Sequence, residues 1–284
     1  LVAAYDLSEL YKTRKELLYF NRLYEILTGI AANYINMPLE KIETGISESL
    51  RQVGELVMAD RAYVFKYDLK KETATCTHEW CRDKVSPQIQ NLQEIPLDTF
   101  HEYQTHRFGE VYFVEDTNQI QNKSLKEELQ LQGIQSMVSI PLMHNGELLG
   151  TLGFDSVNQQ NTYTNHEILI LKLLAQILVN IRLRQHTQQE IDNSKERFRL
   201  LIDNAPVLIN AFDSDARCVL WNKQCQQTFG YSAGEVMDHA NPMELFYPDE
   251  AIRRAVIDSV TLHPVNEYLI WNPYTKSGKQ ITTQ

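Results

Sequence analysis

Glycine and proline are sparse, 11 and 9 in 284 residues. Few glycines leave few places where bare backbone amides can cradle a phosphate, which weighs against a nucleotide-processing enzyme. Positive charge is also short. Twenty-seven basic against 37 acidic residues give a net charge of −10, so no nucleic-acid partner is expected, because such a surface must displace counterions from phosphates. No run approaches the ~20 apolar residues of a membrane-spanning helix. The most apolar stretch, Ile168 to Leu183, is cut by Lys172, Gln176, Asn180 and Arg182. The amino-terminal LVAAYDLSEL lacks the basic-then-apolar order of a signal peptide. The four cysteines, Cys76, Cys81, Cys218 and Cys225, are too few and too scattered for a disulfide scaffold. A reduced, cytoplasmic protein with no membrane segment in this chain is expected.

What is present is ordinary globular composition, 43% apolar and 23% charged, over a length that suits two domains. Leu17, Phe20, Tyr24, Leu27, Ala31 and Tyr34 recur at spacings of three and four, the seam of a helix that pairs with another helix. Pro38 restarts a helix whose core face is Ile42, Ile46, Leu50, Val53 and Leu56–Val57. The period then changes to two, with strands over 61–68 and 73–80 that place Ala74, Cys76, His78 and Trp80 on one face. After an irregular stretch come a strand over 109–117, a polar helix over 118–131, and strands 137–143 and 147–154 joined by His144–Asn145–Gly146, a hairpin signal. Thr164-x-x-Glu167 opens a helix with no Gly or Pro before Pro206. Its second half, Arg184 to Arg197, is polar and reads as an exposed connector. Strands 207–212 and 218–221, short helices including one capped by Ser232-x-x-Glu235, a helix from Pro248, and a strand over 267–274 with a turn at 275–278 follow. The chain stops within that last hairpin, as a fragment would.

The expected fold class is α+β, with two domains, each a central antiparallel sheet flanked by helices, joined by a long helix. The expected division is an N-terminal helix (1–37), a first domain (38–184), a helical connector (185–197) and a second domain (198–284) that is incomplete at its C-terminus.

Residues Ile42 to about Arg184 resemble a bacterial sensory GAF domain. The resemblance rests on Glu79–Trp80–Cys81, Ile95–Pro96–Leu97, Val111 to Asp116, Ser139–Ile140–Pro141–Leu142, Leu149 to Asp155, and Tyr163–Thr164. Residues Phe198 to Gln284 resemble a PAS domain through Phe198 to Ile202 entering Ala205–Pro206, Trp221–Asn222, Phe229–Gly230–Tyr231–Ser232, Tyr247–Pro248–Asp249 and Lys276–Ser277–Gly278. The resemblance implies the input region of a bacterial signalling protein, a homodimer through its N-terminal and connector helices. It would bind an unknown small-molecule ligand or partner and relay the event to an output domain, a diguanylate cyclase by preference or a histidine kinase. There is no Gly-Gly-Asp/Glu-Glu-Phe run, Walker lysine loop or zinc-hydrolase motif, so this chain itself is not expected to be an enzyme. The alternatives are a ligandless dimerisation scaffold and a GAF-fold thiol enzyme using Cys76 and Cys81.

Aromatic residues placed to line cavities are Trp80, Phe113 and Phe154 in the first domain, and Phe212, Trp221, Phe229 and Trp271 in the second. Cys76-x-His78-x-x-Cys81 has the residue types of a metal site, but strand alternation sets Cys81 apart and a fourth ligand would have to come from His101 or His106. A core cysteine and a strand histidine is the preferred reading. His166–Glu167 lacks the Leu-Arg-x-Pro of a phosphoacceptor box, and Glu167 is already explained as a cap. No haem, flavin or tetrapyrrole signature is found. The helical stretch 118–131 has no cysteine, Asp238–His239–Ala240–Asn241 stands where a flavin photosensor carries its reactive cysteine, and His263 falls just past the helix a haem would need. Asp155–Ser156 replaces the Asn-Lys of cyclic-nucleotide-binding GAF domains. The cofactor is unknown on sequence grounds. Asn222 is read as the cap of the helix it precedes.

Overall fold

A computed structural model describes residues 7–262 and 269–283. The chain forms two compact units, Leu1–Thr187 and Gln188–Gln284.

In the first unit, α1 (Leu7–Ile35) buries Leu23, Leu27, Ile30 and Tyr34. Of the expected seam, Leu27 and Tyr34 are buried within the chain, whereas Leu17 is 60% exposed and Tyr24 46% exposed. This helix carries apolar residues on more than one stripe, and contacts of Phe20 with the His166 ring and of Tyr19 with Glu167 fix which stripe turns inward. After a single 3₁₀ turn at Leu39–Lys41, α2 (Ile42–Leu56) buries Ile42, Ile46, Leu50 and Val53, as its periodicity requires.

The strands are β1 (Arg61–Asp68), β2 (Thr73–Cys81) and the two-residue β3 (Ile95–Pro96). Short α3 (Tyr103–His106) leads to β4 (Tyr112–Val114), and α4 (Lys123–Leu131) to β5 (Ser136–His144) and β6 (Glu147–Ser156). They make one antiparallel sheet in the order β3-β2-β1-β6-β5-β4. Ala62, Val64, Ile140, Leu152 and Phe154 pack with the helices on one face. Tyr63, Phe65 and Tyr67 pack under Leu97 and Phe100 from the long loop on the other. Close strand approach explains Gly150, where a Cβ would run into the Phe65 carbonyl. The β5–β6 turn is the expected one, with Asn145 and Gly146 at φ 49° and 83°.

One register detail overturns a sequence expectation. Val64 pairs with His78 and Phe65 with Cys76, so Thr77 is an extra residue, a bulge. A bulge exchanges the faces on either side of it. Ala74 and Cys76 join the cluster under the loop, whereas Trp80 packs with the helix layer and His78 bonds Glu43 of α2. The four residues expected on one face are split between two.

The long helix α5 (Asn165–Asn204) starts at the Thr164–Glu167 box. Ile170, Leu171, Leu174, Leu178 and Ile181 are buried, and residues 189–201 are all exposed. The second unit contains β7 (Asn210–Phe212) and β8 (Cys218–Trp221), an antiparallel pair, then α6 (Lys223–Phe229), α7 (Ala233–Met237), α8 (Met243–Phe246) and α9 (Glu250–Leu262). Of the strand expected over 267–274, residues 267 and 268 lie outside the described residues. Trp271 and Tyr274 make isolated bridges to Thr283 and Gln280 instead of a continuous ladder. No described helix is long and apolar enough to cross a membrane.

Candidate functional site

β1 begins with a charge. Alternation sets Arg61 on the same face as Tyr63 and Phe65, under the long loop, and β6 delivers Asp155 opposite Arg61. Arg61 Nη2 donates to Asp155 Oδ2 at 2.9 Å and the Tyr63 hydroxyl donates to Asp155 Oδ1 at 3.0 Å. Burial pushes the Asp155 carboxyl up to about 6, against the pull of Arg61 and Tyr63. These residues border a cavity of about 70 Å³ together with Glu79, Phe100, Glu102, Leu125, Glu128, Leu129 and Met137. Glu79 is engaged by the Gln88 and Ile89 amides. Glu102 is 8% exposed, and burial, with the charges of Glu128 and Asp155 adding to it, pushes its carboxyl up to about 7.

Two more buried polar groups shape this unit. His106 is fully buried, with Nε2 on the Ser139 carbonyl at 3.2 Å and Nδ1 without a partner among the described residues, and burial lowers it to about 4. His78 Nε2 meets Glu43 at 2.8 Å, and Arg182 of α5 meets the same carboxylate at 2.7 Å. This links α2, the sheet and α5.

In the second unit a cavity of about 630 Å³ is lined by Phe212, Trp221, Phe229, Phe246, Tyr247 and Trp271, with Leu208, Met243 and Val256. Trp221 stacks on Phe246 with ring centres 5.1 Å apart, and its indole N–H donates to the Tyr231 carbonyl. Next to it Asn222 does more than cap α6. Its Oδ1 accepts from the amides of Cys225 and Ile209, and its Nδ2 donates to the carbonyls of Ile202 and Val207. It thereby ties the last turn of α5 to the strand beside the cavity.

Of the residues singled out in the sequence, Phe212, Trp221, Phe229 and Trp271 come together around this second cavity. Trp80, Phe113 and Phe154 do not border the first one. Trp80 lies against Gly54 and under Arg82, Phe113 is 53% exposed and Phe154 is sealed in the core. Cys76, His78 and Cys81 are not brought together, because the Thr77 bulge turns His78 away, and among the described residues no group of three or more His, Cys, Asp or Glu is placed to hold a metal. Burial and the Glu79 charge push Cys76 up to about 12 and Cys81 up to about 11, so both are thiols rather than thiolates at neutral pH. His263 lies outside the described residues. Glu102 was missed in the sequence because it stands in an irregular loop with no periodicity. Arg61 carried a usable signal, a charge in step with the apolar Tyr63, Phe65 and Tyr67 of its strand.

Comparison with known proteins places a GAF domain model on residues 42–181 and a PAS fold model on residues 196–263. The chain is 29% identical over 200 residues to the methanogenesis regulatory histidine kinase FilI of Methanothrix harundinacea (strain 6Ac). That match takes in 68% of this chain but only 22% of the relative, so the chain spans about a fifth of the relative's length. Among solved structures, the phycoerythrobilin-bound GAF domain of a cyanobacterial phytochrome superposes with a TM-score of 0.51 at 17% identity, over 59% of this chain and 97% of that one. The phycocyanobilin-bound GAF domain of a cyanobacterial phytochrome gives 0.50 at 17%, over 58% and 96%. Likeness at that identity speaks for the fold.

Proposed function

The chain is a GAF domain followed by a PAS fold, and on that premise we propose that it is the sensory input module of a cytoplasmic histidine kinase, relaying ligand occupancy along α5. A histidine kinase output is preferred here to the diguanylate cyclase expected from sequence, because the curated relative is a histidine kinase. The observation that carries the reading is α5 itself. Its first half is part of the GAF core, and its last turn is bonded through Ile202 to Asn222, next to a residue of the PAS cavity. The middle of the helix, residues 189–201, is exposed throughout, its apolar Ile191, Phe198, Leu200 and Leu201 included, so few contacts within the chain resist a change of its rotation or register. Leu17 and Tyr24 on α1, and Leu169 and Leu173 on α5, are exposed apolar residues on helices that pair through Tyr19–Glu167 and Arg184–Tyr34. They supply the face through which two copies would dimerise.

A tetrapyrrole such as those of the phytochrome relatives does not fit the GAF cavity. About 70 Å³ is far below what such a ligand occupies, and Cys76 and Cys81 are on β2. The PAS cavity, at about 630 Å³ and ringed by aromatic side chains, suits an apolar or aromatic small molecule.

The test is a proline substitution, Asp192→Pro, in the full-length protein. The expected result is an output that no longer responds to the stimulus while both domains stay folded, and an unaltered response would overturn the relay. Native mass spectrometry of the chain separates the readings further. A dimer carrying a small molecule supports sensing, an empty dimer supports the scaffold, and a monomer removes the dimer.

A further inference from the structure

We infer that the GAF cavity takes a small neutral molecule by its hydrogen-bond acceptor, a short-chain primary amide of a few heavy atoms whose carbonyl oxygen answers the Arg61 Nε–H. This deepens the sensing reading and rests on it for its biological meaning, although binding itself can be measured without it.

The first observation is an unanswered donor. Arg61 lines the cavity, is 2% exposed, and its Nε–H has no hydrogen-bond partner among the described residues. The side chain is not free to correct this. β1 and β6 set Arg61 opposite Asp155, Nη2 donates to Asp155 Oδ2 at 2.9 Å, and the Tyr63 hydroxyl holds the other carboxylate oxygen at 3.0 Å. The guanidinium plane is thus fixed with its salt bridge made and its Nε–H left over. The acceptors beside it are taken: Asp155 is shared between Arg61 and Tyr63, and Glu79 between the Gln88 and Ile89 amides. A charged donor buried without an acceptor opposes folding, and a guest that brings the acceptor removes that cost.

Charge and size follow from the lining. Besides the Arg61–Asp155 pair, the wall carries the carboxyls of Glu79, Glu102 and Glu128 against a single histidine, His101. An anion would add negative charge to a site that already holds more acids than bases. A cation would meet the Arg61 guanidinium and leave its Nε–H as it was. A hydrocarbon would also leave it as it was. A neutral molecule with a strong acceptor satisfies all three conditions, and the carbonyl of an amide is such an acceptor. Its two N–H groups then have the facing carboxyls to donate to, since a carboxyl accepts whether or not it is ionised. Tyr63, Phe65 and Phe100 form a run of edge-to-face rings with centres 5.6 Å and 5.0 Å apart, an apolar surface for the alkyl end. A space of about 70 Å³ holds more than the one water that would satisfy a single N–H, and admits a guest of roughly four or five heavy atoms.

The test is NMR of the isotope-labelled whole chain, following the Arg61 Nε–H resonance, which is assigned by its loss in Arg61→Lys. Acetamide, acetate and acetamidinium share one shape and differ in charge, and acetone keeps the carbonyl without the N–H groups. Acetamide should saturate with a dissociation constant of roughly 1–10 mM, a range open to a ligand of this size. It should move the Nε–H resonance downfield and slow its exchange with water. Acetate and acetamidinium should bind about tenfold more weakly or worse, and acetone about threefold more weakly. Arg61→Lys keeps a cation for Asp155 but has no Nε–H, and should weaken acetamide binding about tenfold, with far-UV circular dichroism checking that it folds. The wild-type ligand series tests the same claim with no variant at all. No saturation into the hundred-millimolar range, tighter binding of either ion than of acetamide, or equal affinity in Arg61→Lys would each overturn the inference. So would an Nε–H resonance that acetamide leaves unmoved, which would mean that water alone answers it. An amide that binds as described but leaves a full-length output unmoved sinks the sensing reading and leaves this one intact.

Discussion

The two domains bury opposite kinds of side chain. The GAF unit sets an Arg61–Asp155 pair, Glu102 and His106 behind its sheet. The PAS unit sets Trp221, Phe229 and Phe246 around its cavity, with Cys225 and Asn222 as its most buried polar neighbours. Rings are indifferent to pH and to single charges, and buried ionisable groups are not. The contrast teaches that pH and small polar ligands should act on the GAF unit, whereas the PAS unit should answer to shape and apolar area.

The strongest way to break that contrast is Arg61→Ala. It leaves Asp155 buried against Tyr63 without its cation, and such a loss costs about 3–5 kcal/mol. Hydrogen exchange should show β1 and β6 amides opening while α6 and α7 amides keep their protection. Replacing both partners, Arg61→Met with Asp155→Leu, should recover most of the loss, since the uncompensated charge rather than the missing bond is what destabilises. Equal loosening of the PAS amides would show that the two units do not unfold separately.

Next in size is the pH response of the GAF unit. Burial raises Glu102 from the ordinary carboxyl value of 4.5 to about 7. A carboxyl that binds its proton more tightly when folded loses stability as pH climbs through that window, by roughly 3 kcal/mol between 4.5 and 7. His106 runs the other way. Lowered from 6.5 to about 4, it gives a contribution fully present above 6.5 and lost as pH falls toward 4, again roughly 3 kcal/mol. Asp155, raised from 3.8 to about 6, slopes the same way as Glu102, so His106 offsets one of the two acids and the wild-type unit loses stability on balance as pH climbs. Glu102→Gln should remove its own slope, stabilising the unit by about 3 kcal/mol at pH 8 and by almost nothing at pH 4.5. Urea melts across that range are the measurement, and PAS-unit melts should stay flat.

Asn222→Ala is the PAS counterpart, smaller because no charge is stranded. Four bonds are lost, two of them to carbonyls of Ile202 and Val207, for about 2–3 kcal/mol. Amides at the end of α5 should exchange faster in this variant than in Trp221→Phe, which keeps the tie and alters only the cavity wall.

The same contrast decided what the sequence could reveal. Strands, helices and the Asn145–Gly146 turn were legible because periodicity and turn chemistry are local. The aromatic wall of the PAS cavity was legible for a related reason, since Phe212, Trp221 and Phe229 fall within two short strands and the helix after them. The GAF cavity was not. Its parts come from β1, β6, α4 and an irregular loop, and nothing local says that Glu102 folds over Arg61 and Asp155. The Thr77 bulge was equally hidden, because one extra residue in a strand leaves no compositional trace, yet it decides that His78 serves α2 and α5 while Cys76 faces the loop.

The smallest effect compares like with like. Each unit has a capping box whose glutamate also holds a distant group. Glu167 takes the Thr164 amide and the Tyr19 hydroxyl of α1, and Glu235 takes the Ser232 amide and the Lys276 ammonium of the closing turn. Thr164→Ala and Ser232→Ala remove the hydroxyl and leave both glutamates in place, so each should cost only about 1 kcal/mol, the value of an N-cap. Their reach should differ. α5 has seven buried residues behind Thr164 and α7 only Val236 behind Ser232. Fraying should therefore stop within the first turn in the GAF unit and run through the whole of α7 in the PAS unit. Residue-resolved hydrogen exchange reads this directly: faster exchange reaching Ile170 and beyond in Thr164→Ala would mean that α5 is held by its cap and not by its core, and the helix proposed as the relay would then be the weakest element of the GAF unit.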